Sequence, residues 1–190
     1  TDVCIDLSDA HDIPIMLIPS RRQVDSKSLG GGYANNWSTE DFSEYVNKKS
    51  IKKKILLCRD HGGPWQNSIE VEKKLDLENA MASAKASFEN DIDSNFHILH
   101  IDPSIDIFQN LDIDMILERI YELYEHCYDY AKKKNKDILF EIGTEEQSGS
   151  TSTFEEIEYF LEKLDNFYIK KKLPKATFVV IQCGTKVVET

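Results

Sequence analysis

The chain has 190 residues, of which 41% are hydrophobic and 30% charged, a composition typical of a soluble globular domain that can bury a core. Its formal net charge of −11 at pH 7 argues against a nucleic-acid partner, because phosphate backbones favour a basic surface. The sequence has neither a long apolar segment nor a signal-peptide pattern, so we expect no membrane span. Four cysteines without a Cys-x-x-Cys pair favour reduced thiols in a cytoplasmic protein.

Five short apolar runs, spaced about 40 residues apart, predict strands of a sheet that is covered on both faces. These runs show little of the polar alternation that a half-exposed strand would have. The predicted strands are residues 13–18, 55–58, 96–101, 138–140 and 177–181. Their regular spacing indicates one βα unit repeated along the chain.

Helical patterns lie between the predicted strands. Ser38 has the form of an N-cap before the acidic residues Glu40 and Asp41. Further apolar stripes with three- and four-residue spacing cover residues 77–88, 115–131 and 153–168. Alternating strands and helices imply a parallel sheet with right-handed crossovers. Two architectures satisfy this pattern: a doubly wound five-stranded sheet, or part of an eight-stranded barrel.

The barrel is the architecture we favour. The sequence opens almost on a strand and ends just after one, without the closing helix that an open sheet needs to cover its face. The fold class is therefore predicted as α/β, a single (β/α)8 TIM-barrel domain over residues 1–190, of which this chain covers an interior portion of about five strands.

Polar residues of catalytic type follow each predicted strand, at the end where a barrel assembles its active site. The candidate catalytic residues are Asp60 and Asp102, and the candidate metal ligands are His61 and Glu141. The candidate substrate-binding residues, in which the basic side chains would bind an anion, are Ser20, Arg21, Arg22, Ser104, Thr144 and Lys186.

The pair Asp60-His61 gives the most specific signal. Neighbouring side chains of a strand face opposite ways, so both can serve one site only where the strand breaks, and we expect Gly62-Gly63 to supply that break. The pair combines a proton-transfer group with a metal ligand, and Glu141 would complete an oxygen-and-nitrogen site for a divalent ion. A lone histidine in a strand is more often a core residue, and we expect this of His100.

Short motifs occur in a fixed order along most of the chain. They are Gln23 with Gly31-Gly32-Tyr33, Ser38-Thr39-Glu40-Asp41-Phe42-Ser43-Glu44-Tyr45-Val46, Asp60-His61-Gly62-Gly63-Pro64-Trp65, His100-Ile101-Asp102-Pro103-Ser104 and Ile142-Gly143-Thr144-Glu145. Their ordered combination resembles the GatZ/KbaZ-like family, the so-called non-catalytic subunits of class II tagatose-1,6-bisphosphate aldolase.

The resemblance implies a (β/α)8 barrel related to the class II zinc aldolases. In those enzymes the aspartate of the Asp-His pair transfers the proton, its histidine binds zinc and a glutamate lies near the metal; the matching positions here are Asp60, His61 and Glu141. After the fifth strand the aldolases have a Gly-x-x-His metal ligand, whereas this chain has Gly184-Thr185-Lys186-Val187. The complete aldolase metal set is therefore not present in these residues.

Three functions remain open from the sequence. The first is a metal-assisted aldolase or epimerase acting on a ketose phosphate, with a divalent metal, zinc first, as the cofactor. The second is a non-catalytic subunit that stabilises a class II aldolase partner, which the missing histidine favours. The third is a sugar-binding module. The polar residues at the strand ends favour the enzyme, while the sugar and any homo-oligomer stay undecided.

Overall fold

Five strands, six α-helices and one 3-10 helix (Lys27–Leu29) occur along residues 1–143 and 153–181, which are the residues that the computed structural model describes. The strands are β1 (Ile15–Leu17), β2 (Ile55–Gly62), β3 (Ile98–Ile101), β4 (Leu139–Gly143) and β5 (Phe178–Val180). The helices are α1 (Asp2–His11), α2 (Thr39–Lys49), α3 (Ser68–Glu72), α4 (Leu77–Asp93), α5 (Ile113–Lys133) and α6 (Phe154–Lys171). Within these ranges, no helix combines the length and the apolar character needed to cross a bilayer.

The order of the strands separates the two predicted architectures. All five strands are parallel and pair in the order β1-β2-β3-β4-β5, whereas a doubly wound sheet would permute them. The prediction of parallel neighbours in chain order is confirmed, and the sheet is a five-stranded half-barrel flanked by helices. Strand β2 extends to Gly62, past its predicted end at residue 58, so Asp60 and His61 belong to the strand itself.

A helix that was not predicted precedes the first strand. The expectation that the chain opens almost on a strand is wrong, because Asp2–His11 form α1. The apolar residues Val3, Ile5 and Leu7 alternate as they would in a strand, and of these only Ile5 is buried. The carboxylate of Asp9 accepts hydrogen bonds from two backbone amides of the loop before β2. Tertiary contacts therefore stabilise this helix in place of an amphipathic stripe.

The sheet has two different faces, because successive side chains of each strand point in opposite directions. One face packs against the helices, where Tyr124 of α5 stacks on Phe140 of β4 with ring centroids 4.0 Å apart. The other face holds His100 and Glu141, which pair in register on β3 and β4. Leu139 lies on this second face too and is 50% exposed. Polar and apolar side chains thus share the face away from the helices.

Side-chain caps fix the start of each long helix that follows a strand. The Ser38 hydroxyl accepts a hydrogen bond from the Asp41 amide at 3.1 Å, which confirms the predicted cap of α2. Asp76 and Asp112 cap α4 and α5 in the same way, and Thr153 forms a capping box at α6. These caps anchor the far ends of the loops that leave the carboxyl edge of the sheet.

Candidate functional site

Strand β2 is irregular at the residues that the sequence marks as functional. Its pairing with β3 shifts register between Arg59 and Gly62, and the backbone of His61 is left-handed, with φ of +44°. A bulge of this kind turns a side chain out of strict alternation. Asp60 and His61 therefore face the same space, with His61 Nε2 3.8 Å from Asp60 Oδ2. The strand does not break at Gly62-Gly63 as expected; a register shift within the strand, at His61, has the same effect on the two side chains.

Gly62 and Gly63, which were expected to break the strand, permit close packing around the end of β2. A Cβ at Gly62 would lie 2.3 Å from the ring of Phe88, and a Cβ at Gly63 would lie 2.2 Å from the carbonyl oxygen of Asp102. Both distances are far below van der Waals contact, so neither position accepts a side chain without movement of its neighbours. The glycines thus let the end of β2 lie against α4 and against the end of β3.

Asp60, His61 and His100 form a compact group of ligating atoms. One such atom from each residue lies within 4.8 Å of the other two. His100 Nδ1 is 3.4 Å from Asp60 Oδ1, and the two imidazole centroids are 5.5 Å apart. The side chain of His100 is almost completely buried, whereas those of Asp60 and His61 are 35% and 31% exposed. One carboxylate and two imidazoles, open on one side, are a donor set that fits a divalent transition-metal ion.

Asp102 lies behind His61. It is 1% exposed, and its Oδ2 is 2.7 Å from His61 Nδ1. The same carboxylate accepts hydrogen bonds from the side-chain amide of Gln66 and the backbone amide of Ser104. A carboxylate on the far nitrogen of an imidazole fixes the tautomer and the ring orientation, as it does for histidines that bind metals. Asp102 is therefore placed to position His61, and its role as a catalytic residue stays a prediction.

The charge state of Asp60 follows from two opposing effects. Burial raises its pKa, but the hydrogen bond from His100 and the positive charges of His61 and His100 outweigh burial, so the pKa of Asp60 lies below its ordinary value. Nδ1 of His100 is also 3.3 Å from the backbone amide of His61. One nitrogen cannot accept that proton and donate to Asp60 at once, so the contact with Asp60 is a hydrogen bond only when Nδ1 of His100 carries a proton.

Glu141, the second expected metal ligand, lies beside this group. It pairs in register with His100, so both side chains are on the same face of the sheet. Burial raises the pKa of Cys58 on β2 to about 11, and the negative charge of Glu141 adds to this rise. Within the described part of the chain, the group of mutually close ligand atoms does not include Glu141. Its role as a ligand stays a prediction.

Arg21 lies in a buried polar network and not at the open side of the site. Its side chain is fully buried, and the guanidinium donates to Asp25 at 3.2 Å, to Glu70 at 2.8 Å and to the carbonyl oxygen of Gly63 at 2.6 Å. No part of the guanidinium is exposed to meet the substrate anion that we expected it to bind. The network joins the loop after β1 to the loop after β2 and so supports the turn that follows Asp60-His61.

The other expected substrate-binding residues are placed differently from one another. Ser20 forms a parallel bridge with Asp60, which brings the end of β1 next to the site. Arg22 is exposed in the following loop. Ser104 contacts Asp102 through its backbone amide. Thr144 and Lys186 lie outside the described residues.

His100 is the site residue that sequence reasoning missed. It is buried, as the expectation of a core residue required, but it also lies next to Asp60 and His61 of the neighbouring strand. A contact between residues about 40 positions apart cannot be predicted from the sequence of either segment alone. The one local signal was the His-x-Asp spacing of His100 and Asp102, which puts two polar groups at the end of one strand.

Comparison with known proteins identifies relatives by fold alone. No protein-family model matches the sequence, and no curated protein matches it. The solved structures that are similar include a probable tagatose 6 phosphate kinase from Sinorhizobium meliloti 1021, with a TM-score of 0.72 and 21% identity over 95% of this chain and 46% of that one. A xylose isomerase domain containing protein from Salmonella typhimurium has a TM-score of 0.49 and 9% identity over 92% of this chain and 53% of that one. The chain spans about half the length of these two structures. At 21% identity the first likeness shows a shared fold and assigns this chain to no family.

Proposed function

We propose that this chain contains the divalent-metal site of a carbohydrate-metabolism protein, a metal-assisted aldolase or epimerase that acts on a ketose or ketose phosphate. The main support is the group formed by Asp60, His61 and His100, with Asp102 2.7 Å behind His61. In this proposal the half-barrel is part of a (β/α)8 barrel, whose active sites lie at the carboxyl ends of the strands. The group occupies that end of β2 and β3.

His61 Nε2 and His100 Nδ1 are the nitrogen donors in this proposal, and zinc is the first candidate ion. A bound divalent ion would polarise a carbonyl or alkoxide oxygen of the substrate. Asp102 keeps the ring of His61 in one orientation, and the partial exposure of His61 leaves the site accessible. Glu141, on the same face as His100, is the candidate for a further ligand.

Asp60 is the proton-transfer group in this proposal. Its Oδ1 is 3.4 Å from His100 Nδ1 and its Oδ2 is 3.8 Å from His61 Nε2, so the carboxylate lies next to both proposed ligands. As a carboxylate beside both histidines, it can accept a proton from a carbon or hydroxyl next to a polarised carbonyl. Both aldol cleavage and epimerisation need a base in that position.

A ketose phosphate is the substrate class that the sequence motifs and the fold comparison support together. The ordered motifs resemble subunits of a tagatose-bisphosphate aldolase, and the structure with a TM-score of 0.72 is described as a probable tagatose 6 phosphate kinase. Arg22, which is exposed in the loop after β1, and Lys186 are the residues that we propose for the phosphate group. The partners in this proposal are a small sugar phosphate and, for the alternative below, a class II aldolase subunit.

Turnover of ketose phosphates by the full-length protein, with and without added zinc or manganese, tests the proposal. Asp60→Asn keeps the shape of the side chain and removes the base, so turnover should fall about 10²–10⁴-fold while substrate still binds. His61→Ala should instead weaken metal binding, and excess metal should partly restore turnover. Asp129→Asn, at an exposed position of α5, is the control, and it should change neither turnover nor metal binding.

Two outcomes would overturn this assignment. If the wild-type protein binds no divalent metal, the metal site is wrong. If the wild-type protein has no turnover alone but raises the activity of a class II aldolase partner, and Asp60→Asn does so equally well, the protein is an accessory subunit. That second candidate is favoured by one observation, the lack of a histidine at the Gly-x-x-His position of Gly184–Val187.

A further inference from the structure

The two histidines of the site are held in different ways. Nδ1 of His61 contacts the buried carboxylate of Asp102 at 2.7 Å. The corresponding far nitrogen of His100, Nε2, is buried and has no hydrogen-bond partner within residues 1–143 and 153–181. Metal-binding histidines usually donate that second proton to a carboxylate or a carbonyl. Among the described residues, packing and not hydrogen bonding must therefore fix this side of the His100 ring.

Gly143 is the residue against which this side of the ring packs. It ends β4, and a Cβ built on it would lie 2.3 Å from His100 Nε2 and 3.1 Å from Cε1. Optimal contacts between non-bonded heavy atoms are about 3.5–4.0 Å, so the same space cannot hold both the imidazole and a side chain at this position. The backbone of Gly143 is not left-handed, so its φ does not demand glycine. Glycine is needed at position 143 because the imidazole ring of His100 occupies the space of a side chain.

The surroundings of His100 leave the ring little freedom to yield. Its side chain is 3% exposed, and Nδ1 already lies 3.3 Å from the backbone nitrogen of His61 and 3.4 Å from Asp60. A Cβ at position 143 would push the ring from the Nε2 side, which moves Nδ1 into these neighbours. The displacement would disturb the nitrogen that faces Asp60.

We propose that Gly143 is the positioning residue of His100, and that its missing side chain holds the imidazole with Nδ1 directed towards Asp60 and the candidate cation. Asp102 positions His61 in the same sense, but it does so through a hydrogen bond to the ring, whereas Gly143 does so by leaving room for the ring. The inference rests on the proposed metal site and deepens it, because it adds β4 to the elements that build the site. It also predicts that the His61–Asp102 pair is unaffected by a side chain at position 143.

Zinc titration of the full-length protein by calorimetry tests the proposal in a double-mutant cycle. Gly143→Ala should weaken zinc binding about 10–100-fold, the range for loss of a group that orients a metal ligand. His100→Ala should also weaken it, and adding Gly143→Ala to that variant should cause no further loss, because the ring that clashes is gone. Leu139→Ala changes a half-exposed residue of the same strand and should leave zinc affinity unchanged.

Measurements without metal separate this inference from the proposed function. The imidazole ¹⁵N resonances of His100 should shift in Gly143→Ala, while those of His61 should not. If the wild-type protein binds no zinc, the proposed function fails, and the His100 resonances still decide whether Gly143 positions the ring. If the wild-type protein binds zinc and Gly143→Ala binds it equally, with unchanged His100 resonances, the inference is wrong and the metal site stands. If Gly143→Ala does not fold, the double variant Gly143→Ala with His100→Ala should fold, because the ring that clashes with the new side chain is gone. A double variant that also fails to fold would overturn the inference.

Discussion

If the proposed metal site is correct, replacement of Asp102 by asparagine should weaken metal binding without changing the shape of the site. The substitution keeps the size of the side chain and removes its charge, so the short contact of 2.7 Å to His61 Nδ1 loses its charge assistance. Because Asp102 is 1% exposed, water cannot replace the lost interaction. Loss of such an orienting group typically costs about 10–100-fold in metal affinity, which corresponds to about 1.4–2.7 kcal/mol.

The assay is calorimetric titration of zinc and manganese into the wild-type protein, Asp102→Asn and Asp102→Ala at neutral pH. Asp102→Ala should bind metal more weakly still, since it leaves His61 Nδ1 without the carboxylate and opens a cavity. Asp129→Asn removes an exposed carboxylate from α5 and controls for the change in net charge. An Asp102→Asn protein that binds zinc as tightly as the wild-type protein would refute the reasoning, because the contact between Asp102 and His61 would then contribute nothing to zinc affinity.

Three further substitutions test the fold around the site. Asp91→Ala removes the carboxylate that binds Arg59 at 2.6 and 2.8 Å, both side chains being fully buried, and should lower the free energy of unfolding by about 3–5 kcal/mol in denaturant titrations. Burial raises the pKa of Asp106, but Arg119 and a backbone amide outweigh burial and hold that pKa below its ordinary value. Because the folded-state pKa is the lower one, the stabilisation is present above about pH 4 and disappears as the pH falls through the folded-state pKa. Asp106→Asn should therefore destabilise the protein at pH 7, and this destabilisation should shrink as the pH falls below about 4. Thr153→Ala removes the capping box of α6 and should cost about 1 kcal/mol in thermal unfolding, and an unchanged melting temperature would contradict that role.

Local sequence pattern was sufficient to predict the sheet. The apolar runs recur with a spacing of about 40 residues, and each βα unit buries its strand beneath the helix next to it, so strand type, direction and order follow from neighbours in sequence. The same local reasoning predicted the cap at Ser38 and an interruption of regular strand geometry near Asp60-His61, although it assigned that interruption to Gly62-Gly63. It failed for α1, whose apolar residues alternate with a period of two and whose stability comes from contacts with the loop before β2.

Only the tertiary structure decided which polar residues share a site. His100 meets Asp60 because β2 and β3 pair in one particular register, and a shift of one residue would send its side chain to the opposite face. Arg21 was expected at the open side of the site, but the nearby carboxylate of Asp25 binds it in the interior, together with Glu70 and the carbonyl of Gly63 from a distant segment. Gly143 has no chemistry that a sequence motif could reveal, and its importance lies in the space that it leaves for a ring on the next strand. The sequence by itself therefore determined which residues stand at the strand ends, whereas contacts between segments far apart in the chain decided which of them face one another.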